Sequence, residues 1–392
     1  MYKPFRIIAG KTNFDFLGKR AAALILSTAV NIVALALVFV VGLNFGIDFR
    51  GGIAIEAKSR AGDADIADMR RIGGDLGVGE VSLQEFGSKD VVLIRIQRQD
   101  GGAACVASAG KLLTKRMGAG WSLKPAANAA SGDLELTAPA TLTSDTARSA
   151  AAAIGLQDNL VKAGPSPAKV AMERDQREEW CQQVAILVAR DAFDAKYEFR
   201  RTESVGPKIG SELLSTGIWA IGLTLLSIAA YVWFRFEWQF GVAALIALVH
   251  DVVTTLGMFA VTQLDFGLTA LAAVLTIAGY SINDTVVVFD RVRENLRRYK
   301  KLTLIELLNV SVNETLSRTL MTSGTVFLAV LALVVFGGPV LYSFSVAMLW
   351  GVVVGTYSSI WIACASLVYL KFRPDRVLEK AEAAASDATA RP

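Results

Sequence analysis

The stretch Gly279-Tyr-Ser-Ile-Asn-Asp-Thr-Val-Val-Val-Phe-Asp-Arg-Val-Arg-Glu-Asn295 decides the class of this protein. It closes an apolar run that begins near Leu264 and is long enough to cross a bilayer, for which about 20 residues suffice. Asp284 lies inside that run, with Asn283 beside it. A carboxylate at the centre of a membrane helix costs about 2.5–3.5 kcal/mol on insertion scales. Such a residue is kept where it faces protein or water, meets a partner, or carries protons. The next apolar run opens with Arg318, and the antiparallel connection puts it at a depth comparable to that of Asp284. Arginine does not release its proton, so it cannot be a relay station. It can lower the pKa of a nearby aspartate and free it when a conformational change parts the two. Asp284 and Arg318 are therefore read as a proton-coupling pair. The competing readings are a structural hydrogen bond for Asp284 and snorkelling to the interface for Arg318.

Outward from that stretch, the apolar residues are collected into blocks. The block pattern is more informative than the overall 53% hydrophobic content. Six spans are predicted, at residues 21–43, 213–234, 240–261, 264–289, 318–336 and 341–370. The first is longer than the roughly 7–15-residue core of a signal peptide, so it is read as an uncleaved anchor. Lys3, Arg6, Lys11, Lys19 and Arg20 precede it, within residues 1–20. Arg235 follows the second span, and Arg291, Arg293, Arg297, Arg298, Lys300 and Lys301 follow the fourth. Lys371, Arg373 and Arg376 open the Ala-rich tail, residues 371–392. The two short turns on the other side carry neither lysine nor arginine. Hydropathy and charge bias thus agree on both termini in the cytoplasm and residues 44–212 outside it. Residues 290–317 are basic, then amphipathic, and either lie along the surface or form the base of the next helix.

Residues 44–212 contain no run that could span and read as one α+β domain. Residues 52–57 alternate as a strand, and Ile66, Met69 and Ile72 mark an amphipathic helix over 63–76. Residues 81–86 and 90–97 are strands about the turn Gly87-Ser88-Lys89. A helix over 173–193 and a strand over 195–205 complete the order β-α-β-β-α-β, that of a ferredoxin-like split βαβ unit. Residues 101–171, rich in Ala, Gly, Ser and Pro, form an insertion with one strand-like piece at 133–137. Whether it is loose or a small subdomain stays open. Cys105 and Cys181 both fall outside the cytoplasm, where a disulfide can form. Two buried thiols are the alternative, and only geometry decides between them.

The bulk numbers exclude several functions. A net charge of +4 is too small to imply nucleic acid. Three cysteines and one histidine supply no metal cluster. Gly10-Lys11-Thr12 is similar to the end of a phosphate-binding loop, but Phe5 stands at the first glycine position and no strand precedes it. No nucleotide, other cofactor or enzymatic nucleophile–base pair is expected.

Further polar residues lie within the spans. His250 and Asp251 sit near the middle of the third, with Thr254 and Thr255 on the same helical face as Asp251. That face points into the bundle, as a relay or as a buried structural network. Thr322 and Thr325 extend the Arg318 face and could line the same polar seam. Gly351, Gly355 and Ser359 repeat every four residues on the last span, a small-xxx-small pattern that lets helices approach closely. Cys364 reads as a packing residue.

Taken together, the motifs resemble the SecF side of the SecD/SecF family of the bacterial Sec protein-export machinery. They are Phe45-Gly-Ile-Asp-Phe-Arg-Gly-Gly52, with arginine at position 50 where the family usually has threonine, Val205-Gly-Pro207, Arg235-Phe-Glu-Trp238 and His250-Asp251. Gly279-Tyr-Ser-Ile-Asn-Asp284, Asp290-Arg-Val-Arg-Glu-Asn295, Thr315-Leu-Ser-Arg-Thr-Leu-Met-Thr-Ser323 and Gly355-Thr-Tyr-Ser-Ser359 complete the set. The resemblance does not cover residues 101–171, which exceed the family's usual outer domain. It implies a six-span half-transporter of the resistance-nodulation-division superfamily in the inner membrane, paired with SecD. It further implies action beside the SecY/SecE/SecG channel on a translocating preprotein, driven by the proton-motive force. The family's proton-linked aspartate and arginine fall on Asp284 and Arg318. The alternatives are a proton-coupled exporter of lipid or small molecules, disfavoured by the single six-span set, and a scaffold subunit with no proton role.

Overall fold

A chain segment in lipid has no water for its backbone, so charge-free apolar runs must close their hydrogen bonds within helices. The computed structural model describes residues 12–97, 99, 102–126, 133–157, 160–162 and 164–370. Two units result, one of residues 1–44 with 216–392 and one of residues 45–215. The elements in chain order begin with α1 (Arg20–Val40), α2 (Ile47–Arg50), β1 (Gly52–Ser59), α3 (Ile66–Asp75), β2 (Val81–Phe86) and β3 (Ser88–Ile96). Then come α4 (Ala103–Met117), β4 (Ser122–Pro125), β5 (Leu134–Thr137), α5 (Ser144–Ala153), β6 (Ala168–Val170), α6 (Arg174–Phe193) and β7 (Tyr197–Val205). The last are α7 (Pro207–Arg235), α8 (Trp238–Thr262), α9 (Leu268–Arg298), α10 (Leu304–Phe336), α11 (Gly338–Tyr357), a π turn at Ser358–Ala363, and α12 (Cys364–Tyr369). Lys3, Arg6, Gly10, Lys11 and the tail 371–392 lie outside the described residues.

Six stretches among the described residues are long and apolar enough to cross a membrane. The fourth helix starts at Leu268 rather than at 264 and continues through the basic residues to Arg298. Its 31 residues amount to about 46 Å at 1.5 Å per residue, so its end projects beyond a hydrocarbon core of about 30 Å. The amphipathic stretch ahead of Arg318 is the base of one continuous α10. A capping box starts that helix, with Thr303 and Glu306 each satisfying the other's backbone N–H. Within this unit α8 and the α11–α12 helix are central, 67% and 72% buried over their apolar windows, against 11% for α1. Phe240 and Phe289 meet edge-to-face at 4.9 Å in the core between α8 and α9.

The chain ahead of α1 is held by α10. Asn309 Oδ1 accepts from the backbone N–H groups of Phe16 and Leu17, and its amide donates to Asp15. One turn on, Asn313 accepts from Phe14 N–H and donates to the Phe14 carbonyl. Leu17 is fully buried.

In the other unit, Ile53, Ile55 and Ala57 are buried in the core from β1, an inner strand of an antiparallel sheet, order β2-β3-β1-β7. This is the ferredoxin-like arrangement. Gly51 and Gly52 enter β1 at φ +72° and +123°, a conformation that side chains oppose. Gly210 lies so near that a Cβ there would stand 3.0 Å from the Phe49 carbonyl oxygen. The insertion is an ordered subdomain over its described residues. Helices α4 and α5 pack with the three-stranded sheet β4-β5-β6 around Leu113, Leu134, Leu136 and Ile154.

Helix α6 serves both cores. Ala185, Ala189 and Phe193 face the four-stranded sheet, whereas Trp180, Cys181 and Val184 face the subdomain. The Trp180 indole donates to the Ile154 carbonyl at 2.8 Å. Cys181 is joined to Cys105 of α4 in a disulfide with a Cα–Cα distance of 5.7 Å. It closes a loop across a sequence separation of 76, for which chain entropy gives about 4–5 kcal/mol. Cys364 is the remaining cysteine, a buried free thiol. Maleimide labelling of the protein unfolded without reductant is expected to modify one thiol per chain, and three after reduction. Three thiols labelled without reductant would show Cys105 and Cys181 unpaired.

Candidate functional site

Two carboxylates are buried in the helical unit, and their surroundings differ. Asp251 comes from the middle of α8 and is fully buried. Its Oδ2 accepts from the hydroxyls of Ser281 on α9 at 2.5 Å and Ser358 at 2.8 Å. Its Oδ1 lies 3.0 Å from His250 Nδ1. Both oxygens thus have partners, drawn from three elements. The hydroxyls of Thr254 and Thr255 turn back to the His250 and Asp251 carbonyls of their own helix, at 2.9 and 2.7 Å. The threonines therefore fill the interior without bridging it.

Asp284 lies one turn along α9 from Ser281 and is 2% exposed. Its Oδ2 accepts one hydrogen bond, from Ser323 of α10 at 3.2 Å. Ser323 Oγ is in turn 2.8 Å from the Thr356 hydroxyl of α11. On the same two helices, Tyr280 and Thr319 each place a buried hydroxyl without a hydrogen-bond partner among the described residues. The Asp284 neighbourhood is thus polar and under-satisfied, whereas that of Asp251 is saturated.

Arg318 sits five residues before Ser323, which on a helix is about 7.5 Å along the axis and about 140° around it. Its side chain is exposed, and among the described residues no carboxylate comes within 4.0 Å of it. The two members of the expected pair therefore lie on adjoining helices without an ion pair. Asn283 is also exposed, because neighbours on a helix diverge by about 100° and Asp284 takes the inward direction. Thr322 is half-buried and donates to the carbonyls of Arg318 and Thr319.

Close helix approach holds these groups in place. A Cβ at Gly351 would stand 2.3 Å from Ile277 Cγ1, and one at Gly355 would stand 3.0 Å from Ser281 Cβ. Helix α11 thereby lies against the Ser281–Asp284 face of α9. Ser359, next in the small-residue row, brings its hydroxyl 2.8 Å from Thr285. Sequence reading singled out the carboxylates and the glycines but missed Ser281, Ser323, Thr356 and Ser358. The signal for two of them was there: Ser281 precedes Asp284 by three positions, and Ser358 follows the second glycine by three.

Comparison with known proteins is consistent across the chain. Residues 186–373 match the family described as protein export membrane protein SecD/SecF, C-terminal, and residues 36–60 match the SecD/SecF GG motif. The latter includes the Gly51–Gly52 turn. The chain is 35% identical over 381 residues to protein translocase subunit SecF of Rickettsia akari, covering 96% of this chain and 99% of that one. It is 36% identical over 362 residues to the SecF subunit of Rickettsia felis, covering 92% of each. Among solved structures, SecDF of Thermus thermophilus, a translocon-associated membrane protein, aligns with a TM-score of 0.66 at 28% identity. That alignment covers 94% of this chain and 40% of the other.

The glycine contacts set a direct expectation. Gly351→Val should weaken the helical unit by about 1–3 kcal/mol through overpacking against Ile277. Gly222→Ala, which meets nothing within 4 Å, should leave stability unchanged. Thermal unfolding in detergent distinguishes the two, and equal melting temperatures would contradict the packing.

Proposed function

We propose that this chain, which belongs to the SecD/SecF family and is a SecF-type subunit of the Sec protein-export machinery, couples proton movement at Asp284 to late steps of preprotein translocation. It works as a multi-pass membrane protein beside SecD. In this reading it lies in the bacterial inner membrane with both termini cytoplasmic, as the lysine and arginine bias supports. The α+β unit then stands in the periplasm, where the Cys105–Cys181 disulfide is stable. The further partners are the SecY/SecE/SecG channel and the emerging preprotein.

The observation that carries the reading is the contrast at Asp284. The carboxylate is 2% exposed in an apolar bundle and its closest hydrogen-bond partner among the described residues is the Ser323 hydroxyl, at 3.2 Å. Apolar surroundings disfavour a charged carboxylate in general, and an approaching arginine favours one. Arg318, on the next helix and not ion-paired with Asp284, can supply that change when α10 shifts or turns against α9. Asp284 would then take up a proton in one arrangement and give it up in the other. Each charge crossing 100 mV contributes about 2.3 kcal/mol, so a few protons per cycle suffice to bias a moving outer unit against preprotein backsliding. The subunit's work in this scheme is mechanical, with no bond of the preprotein made or broken.

The test is export driven by the proton-motive force in inverted membrane vesicles, with Asp284→Asn and Arg318→Met. Both variants are expected to reach wild-type levels, co-purify with SecD, and lose the proton-dependent increment of export. Normal increments in assembled variants would leave a scaffold role in its place.

A further inference from the structure

We infer that Asp251 is a positioning residue, the acceptor that pins α8, α9 and the π turn together and so fixes the α9 face bearing Asp284, and that it does not itself carry protons. The inference rests on Asp284 being the proton-linked group.

Three observations support it. The first is saturation. Asp251 has no solvent exposure, and its oxygens are met by the Ser281 and Ser358 hydroxyls and by His250 Nδ1. Serine hydroxyls both donate and accept, so Ser281 and Ser358 can keep both contacts with a fixed side chain at this position. A group that loads and unloads protons must change its partners, and this one is held on every side.

The second observation is the backbone of the last span. At Ser358–Ala363 the helix widens into a π turn, a local feature that recurs at functional sites. There Ser358 reaches Asp251, while Ser359 reaches Thr285 and the Ser281 carbonyl. Next to them, Tyr357 meets the Ser27 hydroxyl of α1 at 2.9 Å. Tyr357 and the π turn after it therefore join the central helices to α1, with Asp251 at one end of the array.

The third observation is separation. Among the described residues, no hydrogen bond joins the Asp251 group to the Asp284–Ser323–Thr356 group. The link is mechanical: Ser281 and Asp284 share one face of α9 three residues apart, and Ser281 is held by its side chain to Asp251 and by its carbonyl to Ser359.

The decisive comparison is Asp251→Asn against Asp251→Leu. Asparagine keeps one acceptor oxygen for the two serines and turns its amide toward His250, whose neutral ring can accept. Leucine of similar size leaves both hydroxyls and the imidazole without their acceptor. Each variant is assayed in the SecD-containing complex, for melting temperature in detergent and for the proton-dependent export increment in vesicles. Asp251→Asn is expected to melt within about 3 °C of wild type and to keep at least half of the increment. Asp251→Leu is expected to melt about 10 °C lower or more and to lose export with and without the proton gradient alike. An Asp251→Asn protein with wild-type melting and no increment would make Asp251 a proton carrier and overturn the inference. Wild-type melting of Asp251→Leu would overturn it too. An unchanged increment in Asp284→Asn would instead strike the proton-coupling reading, while the melting comparison still judges the anchoring role.

Discussion

A carboxylate taken out of water must be surrounded by donors, and the helical unit is arranged about that requirement at Asp251. Leaving a buried polar group without its hydrogen-bond partner costs about 1–3 kcal/mol. The small residues on α11 have their physical purpose in this light. Gly351 and Gly355 let α11 come within side-chain contact of Ile277 and Ser281, and that closeness delivers Ser358 to the carboxylate. The π turn then provides a second inward hydroxyl from the next residue. Packing and polar satisfaction are thus one arrangement: widening the α9–α11 contact would strand a buried carboxyl group.

Against that fixed centre, the Asp284 region is loosely bonded. Among the described residues it has one short hydroxyl contact on the carboxylate and an exposed arginine on the next helix that makes no ion pair with it. The difference follows from which helices contribute. Asp251 is framed by α8, α9 and the last span, the more buried part of the unit. Asp284 is framed partly by α10, whose apolar window is only 17% buried. A peripheral helix can move at lower cost than a central one, which suits a group that must alternate between environments. The α+β unit shows the same economy in another form: one helix, α6, is shared by two cores, and a disulfide ties the second core to it.

How much of this was legible in the sequence depended on whether a constraint acts along the chain or across it. The apolar runs are legible because lipid imposes helix on each segment separately. The βαββαβ order is legible because strand alternation and helical spacing are local, and the sheet order follows the ferredoxin-like pattern. Helices α4 and α5 were not. Their Ala, Gly and Ser residues carry weak periodicity, and burial against α6 and the small sheet stabilises them. Asp284 and Arg318 stood out by their cost in lipid, and topology put them at similar depth. The angle around the helix axis was beyond reach: Ser323, not Arg318, faces the carboxylate, and Asn283 faces outward. The serines stayed hidden because in an apolar helix a serine that packs and a serine that bonds a buried carboxyl group look the same until the neighbouring helix is in place.

The hold of Asn309 and Asn313 on residues 14–17 has a consequence for how the protein is made. The paired groups are separated by 292 to 299 positions, so residues 14–17 wait for partners that are made almost 300 residues later. At about 5–20 residues per second the delay is roughly 15–60 s. Through that interval α1 is already in the bilayer with its preceding segment unclasped, and the seat of Leu17 does not yet exist. The helical unit therefore closes from its last-made helices back onto its first. A chain truncated before α10 would leave residues 14–17 without the clasp of Asn309 and Asn313.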